Sequence, residues 1–162
     1  MSTEMTRHYL VYWRSQSLES ARARDPVLDH ASSSQFRFID SGDVLWLVTV
    51  RKGKLFLVGK LIVGDRTDST SAVRVLGRDI AHSGRYVALA KPGTEEEMRD
   101  IPLDDIVNLI RFNSTTNDRF TISRGKINPQ QMQMKRQLTD SSCHLINAKW
   151  NSRSTKAPKQ DT

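Results

Sequence analysis

A single cysteine, Cys143, stands in a chain of 162 residues, so an internal disulfide and any zinc site built from clustered thiolates are excluded. Long hydrophobic runs are missing too. No stretch approaches the ~18 consecutive apolar residues of a membrane-spanning helix, and Met1 to Arg7 lacks the basic flank and apolar run of a secretory signal. The expectation is a cytoplasmic protein with no membrane partner. Glycine-rich phosphate loops and serine elbows are likewise absent. His8, His30 and His82 fall without metal-ligand spacing. Cys143 and His144 are adjacent, and neighbouring helix positions point roughly 100° apart, which disfavours a thiolate–imidazole pair. No metal, no cofactor and no catalytic set is therefore expected.

What is present is a polar chain with clear apolar runs: 37% hydrophobic and 27% charged residues, the balance of one folded domain and not of a disordered chain. The net charge is +7, unevenly spread. Residues 95 to 105 hold six of the 18 acids (Glu95, Glu96, Glu97, Asp100, Asp104, Asp105) and only one base, Arg99, leaving a large basic excess elsewhere. Such an excess attracts polyanions, nucleic acid above all, although a high pI can also serve solubility alone.

Along the chain, His8 to Trp13 reads as a buried first strand, and residues 17 to 31 as a helix interrupted near Pro26. Ser32 to Gln35 reads as a loop, and Phe36 to Phe38 as a strand or its approach. Val44 to Val50 and Leu55 to Val63, joined by Arg51-Lys-Gly-Lys54, form a hairpin. Gly59 marks a bulge or close approach in its second strand, and Gly64-Asp65 closes it. Val73 to Leu76 and Arg85 to Ala90 are shorter β-prone runs. Pro102 suits the first turn of a short helix over Leu103 to Ile110, and Phe112 should reach the core. Asn128-Pro129 starts another helix. Thr139 or Asp140 caps a last one carrying Leu145, Ile146 and Trp150 on one face. Residues 1–7 read as a flexible start and 151–162 as a disordered tail, leaving 8–150 as the folded domain. Strands in a row with helices at either end predict an α+β fold around a small twisted mixed barrel of five to six strands.

The order Tyr12-Trp13, helix, serine-rich loop, Gly42-Asp43-Val44-x-Trp46, glycine-containing strand, Ile101-Pro102-Leu103 and Leu109-Ile110-Arg111-Phe112 resembles the PUA-like superfamily, and within it the EVE and YTH-like branch. The likeness spans roughly residues 8 to 112. It implies recognition of a nucleobase, often modified and flipped from its stack, between aromatic side chains at the barrel mouth. The matching positions are Trp13, Ser33, Ser34 and Trp46, with Asp43 opening the strand. No third tryptophan stands in a loop after the hairpin, as the YTH cage would have it.

Each of these residues also has a plainer reading. Trp46, flanked by apolar residues, and Trp150, at helical spacing from Ile146, suit the core. Ser32 to Ser34 suits a solvated loop, and Asp43 a turn. Trp13 ends its apolar run, where pockets tend to open, while Tyr12 faces the other way. Arg14, Arg51, Lys52, Lys54 and Arg85 are the candidate phosphate contacts, joined by Arg22, Arg24, Arg74 and Arg78. The expected partner is DNA or RNA. Two alternatives stay open: a protein-interaction domain of a larger restriction or modification system, and a small amidohydrolase of modified nucleosides, which a branch of the superfamily resembling ASCH domains includes.

Overall fold

The computed structural model describes residues 6–77, 85–132 and 135–155. The aromatic first segment is β1 (His8–Tyr12), followed by α1 (Ser15–Arg24). The helix stops where Asp25-Pro26 forbids it, Asp25 N–H donating to Ala21 O as the last turn closes. Beyond the proline the chain is extended, not helical, through β2 (Val27–Leu28) and β3 (His30–Ser33). Ser32 and Ser33 thus belong to a ladder, opposite Val87 and Tyr86, and not to a loop. Phe36–Phe38 is a 3₁₀ turn in place of a strand, burying Phe36 and exposing Phe38.

The hairpin stands as expected, with β4 (Val44–Arg51) against β5 (Lys54–Thr67). Lys52 and Gly53 both take positive φ, 54° and 78°, the two-residue turn whose twist matches that of the strands. Leu47 faces Gly59 and Val48 faces Leu57, so Val58 is the extra residue of a bulge. Gly64 does not end β5. It is a second bulge, after which the strand continues to Thr67 along a new neighbour, β6 (Tyr86–Ala90).

Between them lies α2 (Ser69–Leu76), covering the run expected to be a strand. Asp68 caps it by accepting from Ser71 N–H at 2.7 Å, and Gly77 ends it at φ 73°; these end signals outweigh the β-propensity of Val73 and Val75. The rest of the chain is short pieces: β7 (Glu96–Glu97) on β2, β8 (Ile101–Pro102) on β5, the hairpin β9 (Ile122–Ser123) and β10 (Lys126–Ile127), then β11 (Arg136–Gln137) on β1. Pro102 therefore sits in a strand, with a 3₁₀ turn only at Val107–Leu109. Pro129–Met132 is also a 3₁₀ turn, opened by Asn128 Oδ1 accepting from Gln130 N–H. Thr139 Oγ1 accepts from Ser142 N–H at the start of α3 (Asp140–Thr155). That helix runs past Asn151, where a tail was expected to begin; residues 156–162 and 1–5 lie outside the described residues. Arg7, assigned from sequence to a flexible start, is tied to Asp40 and Asp43.

The main sheet has seven strands in the order β11-β1-β4-β5-β6-β3, with β8 also on β5. It is mixed, since β1 runs parallel to β4 and the remaining pairs are antiparallel. The fold is α+β as expected, but the barrel does not close: the order ends at β11 and β3, which do not pair with each other. Two large cores form, one on each face, and a small third cluster of Ala72, Val87 and Leu89 lies under α2. Alternation along β4 sends Trp46 and Val48 toward α3 with Ile146 and Trp150, and Leu45 and Leu47 toward α1 with Leu18 and Leu28. Burial on both faces explains why β4 reads as an almost wholly apolar run, broken only by the buried Thr49 before Arg51 ends it.

Candidate nucleobase pocket

A cavity of about 290 Å³ opens where β1 ends, between α1 and the β2–β3 segment. Trp13 forms one wall, its backbone N–H donating to Val48 O at 2.9 Å, one residue beyond β1. Arg14 caps α1 with an extended backbone and also lines the cavity. Ser17, Ala21 and Arg24 supply the helical wall, at the i, i+4, i+7 spacing of one helix face. Leu28, His30, Ala31 and Ser32 supply the strand wall, and Met98 reaches in from the acidic segment. His30 Nδ1 lies 2.8 Å from Asp29 Oδ1 at the rim.

Of the five residues expected in the pocket, Trp13 alone lines this cavity. Trp46 is fully buried on the opposite face. Its indole Nε1–H donates to His8 Nδ1 at 3.0 Å, its ring stacks on His8, and Trp150 meets it edge-on, both at 6.2 Å. The shared frame of Trp13 and Trp46 is thus corrected by strand alternation, which puts the sheet between them. Asp43 is buried in the turn before β4, accepting from Asp40 N–H at 2.9 Å and pairing with Arg7 at 3.2 Å. Ser33 Oγ accepts from Gln35 N–H to shape the next turn, and Ser34 is exposed; neither touches the cavity, whereas Ser32 does. Tyr12 packs toward the α3 side, as alternation requires, yet also lines the cavity because the strand ends there.

Sequence reasoning missed His30, Asp29, Asp25 and Met98. The helical spacing of Ser17, Ala21 and Arg24 was a legible signal. Met98, by contrast, arrives only because its N–H donates to Pro26 O alongside the pairing of β7 with β2.

The basic candidates divide sharply. Arg51 is engaged, bonding Glu19 at 3.0 Å and Asp100 at 2.8 Å while lying over Phe56. Arg22 bonds Asp100 at 2.9 Å and Arg99 O at 2.8 Å. Burial alone would raise the Asp100 pKa, but hydrogen bonds from Arg22 and Arg51 outweigh it and hold the carboxyl below its ordinary value. Arg99 pairs with Glu96 and lies 4.0 Å from the Trp150 ring centroid, and Lys149 pairs with Asp105. Much of the acidic segment therefore acts as internal counter-charge. Lys52, Arg74 and Arg85 are exposed, while Lys54 donates to Gly125 O at 3.3 Å; Arg78 and His82 lie outside the described residues.

Cys143 is half-buried, and burial, with the Asp140 charge adding, pushes its thiol up to about 11, the reverse of an activated nucleophile. Among the described residues no three His, Cys, Asp or Glu side chains gather to hold a metal ion, and no helix is long and apolar enough to cross a membrane. No family model matches the chain, and no curated protein matches it.

Proposed function

We propose that this chain is a nucleic-acid-binding reader module of the PUA-like, EVE and YTH-like kind, which takes one base of DNA or RNA into the cavity beside Trp13. The observation that carries this reading is the composition of the cavity wall. Trp13, Ala21, Leu28 and Met98 are apolar, while two guanidiniums, Arg14 and Arg24, are matched by two carboxylates, Asp25 and Asp29. A phosphate would need a surplus of positive charge there. A neutral planar heterocycle with donors and acceptors on its edge suits such a lining, and its stacking on an indole offsets the cost of leaving the helix or strand. The volume of about 290 Å³ lies just below the ~300–1,000 Å³ range for small-ligand sites. Exposed basic side chains such as Lys52 and Arg85 supply the sequence-independent attraction to phosphate.

The test is a fluorescence-anisotropy titration of plain and base-modified oligonucleotides at two salt concentrations, with the native chain and Trp13→Leu. Native discrimination among bases, lost in the variant while the salt dependence persists, supports the reading. Absence of binding, or binding that ignores both the base and Trp13, refutes it.

A hydrolytic reading has one observation in its favour, the His30–Asp29 pair at the same rim. A carboxylate on Nδ1 orients an imidazole as a general base. Release of product from modified nucleosides, abolished by His30→Gln, would select this reading over binding alone.

A further inference from the structure

Phe38 is two-thirds exposed (67%), leaving much of its ring open to solvent. Its surroundings are basic. The Arg37 guanidinium lies 5.2 Å from its centroid, and the 36–38 turn packs against β6. There Tyr86 carries two more guanidiniums, Arg66 at 5.5 Å and Arg85 at 5.6 Å. Arg66 also donates to Phe36 O, tying the turn to β5. None of these three arginines makes an ion pair with another described residue, unlike Arg22 and Arg51. Rings that hold guanidiniums by cation–π attraction keep them fixed without neutralising them.

The position of this patch matters as much as its composition. His30, Ala31 and Ser32 of β3 line the cavity, and Ser33, the next residue, pairs with Tyr86. The patch begins where the cavity wall ends.

We infer that Phe38 is a stacking platform for a nucleotide flanking the one held in the cavity, with Arg37, Arg66 and Arg85 gripping the adjoining phosphates, so that the partner is single-stranded. This rests on the base-reader proposal and names its substrate class. A duplex presents phosphates and groove edges but hides its base faces, so an exposed ring beside arginines that no described carboxylate pairs is of use to a single strand or an unpaired segment.

The experiment titrates a labelled single strand and its blunt duplex with the full chain, Phe38→Ala, Arg37→Ala with Arg85→Ala, and Trp13→Leu. All the platform side chains removed are exposed, so folding is retained. Phe38→Ala should weaken single-strand binding about tenfold with no change in salt slope. The double arginine variant should lower the slope by about 0.7 for each phosphate it no longer neutralises. Duplex binding should not respond to Phe38. A Phe38→Ala titration that superimposes on the native single-strand curve overturns the platform, even where Trp13→Leu shows the pocket to be real. Conversely, weaker binding by Phe38→Ala with unchanged base preference in Trp13→Leu upholds the platform and removes the pocket. Failure of the native chain to bind single strands removes the platform, and failure to bind the duplex as well removes both.

Discussion

Two glycines in β5 sit at bulges, and adding one methyl to each should give different results. A Cβ on Gly59 would lie 2.8 Å from Leu28 Cδ2, and one on Gly64 would lie 2.7 Å from Lys91 Cα and 3.0 Å from Lys91 N. Both are roughly 1 Å inside the optimal carbon separation of about 3.5–4.0 Å. The obstacle differs. Leu28 Cδ2 is the end of a rotatable side chain that lines the cavity, so it can swing into open space. Lys91 is backbone, and its N–H donates to Ile62 O at 2.8 Å, so relief at Gly64 must stretch a hydrogen bond as well. Overpacking costs about 1–3 kcal/mol, and replacing glycine recovers about 0.4–1 kcal/mol through the unfolded chain where φ permits. Neither glycine has the left-handed φ that would forbid alanine. Gly59→Ala should therefore cost about 1 kcal/mol or less, and Gly64→Ala about 2 kcal/mol or more. At about 2–4 °C per kcal/mol for a chain of this size, thermal unfolding followed by circular dichroism separates the two. Gly59→Ala should also weaken oligonucleotide binding several-fold, because the displaced Leu28 occupies part of the pocket. Equal destabilisation by the two variants, or unaltered binding by Gly59→Ala, would refute the reasoning.

Three further outcomes follow from the same geometry. Trp46→Ala should cost about 3–5 kcal/mol in chemical denaturation, the range for a buried aromatic, whereas Trp13→Ala should cost clearly less and act chiefly on binding; a reversal of that order would place the pocket on the wrong face. Burial, reinforced by the Lys60 charge, lowers the His8 pKa, so as pH falls below about 6.5 the unfolded chain takes up this proton first and stability declines until the folded imidazole also protonates. Denaturation at pH 7.5 and 5.5 should show that decline, reduced in His8→Gln, and greater stability at pH 5.5 would contradict it. Cys143, with its thiol near 11, should alkylate slowly in the folded chain at pH 7.5, and rapid modification there would show that its surroundings are not as described.

Local features of this fold were legible wherever a nearest-neighbour rule decides the outcome. The β4–β5 hairpin follows from Lys52-Gly53 between apolar runs, the end of α1 from Asp25-Pro26, and the start of α3 from Thr139. Reading failed where a signal lay at the end of a segment and not in its middle: α2 was hidden behind Val73 and Val75 because its cap is Asp68 and its stop Gly77. It failed again over Ser32 and Ser33, whose polar side chains suggest a loop but whose backbone completes a ladder with β6.

Trp13 at the mouth of a cavity was legible, since a strand that ends in an aromatic before Arg14 and Ser15 leaves that ring at an edge. The other half of the expected pocket was not. From sequence, the composition and order of residues determined an α+β domain, a buried hairpin and an excess of positive charge. Tertiary structure alone decided that Trp46 lies across the sheet from Trp13, that Asp100 consumes Arg22 and Arg51, and that Met98 and His30 line one cavity. The physical reason is that strand pairing sets which face each alternate residue joins, and charges far apart in the chain neutralise one another only once that pairing has brought them together.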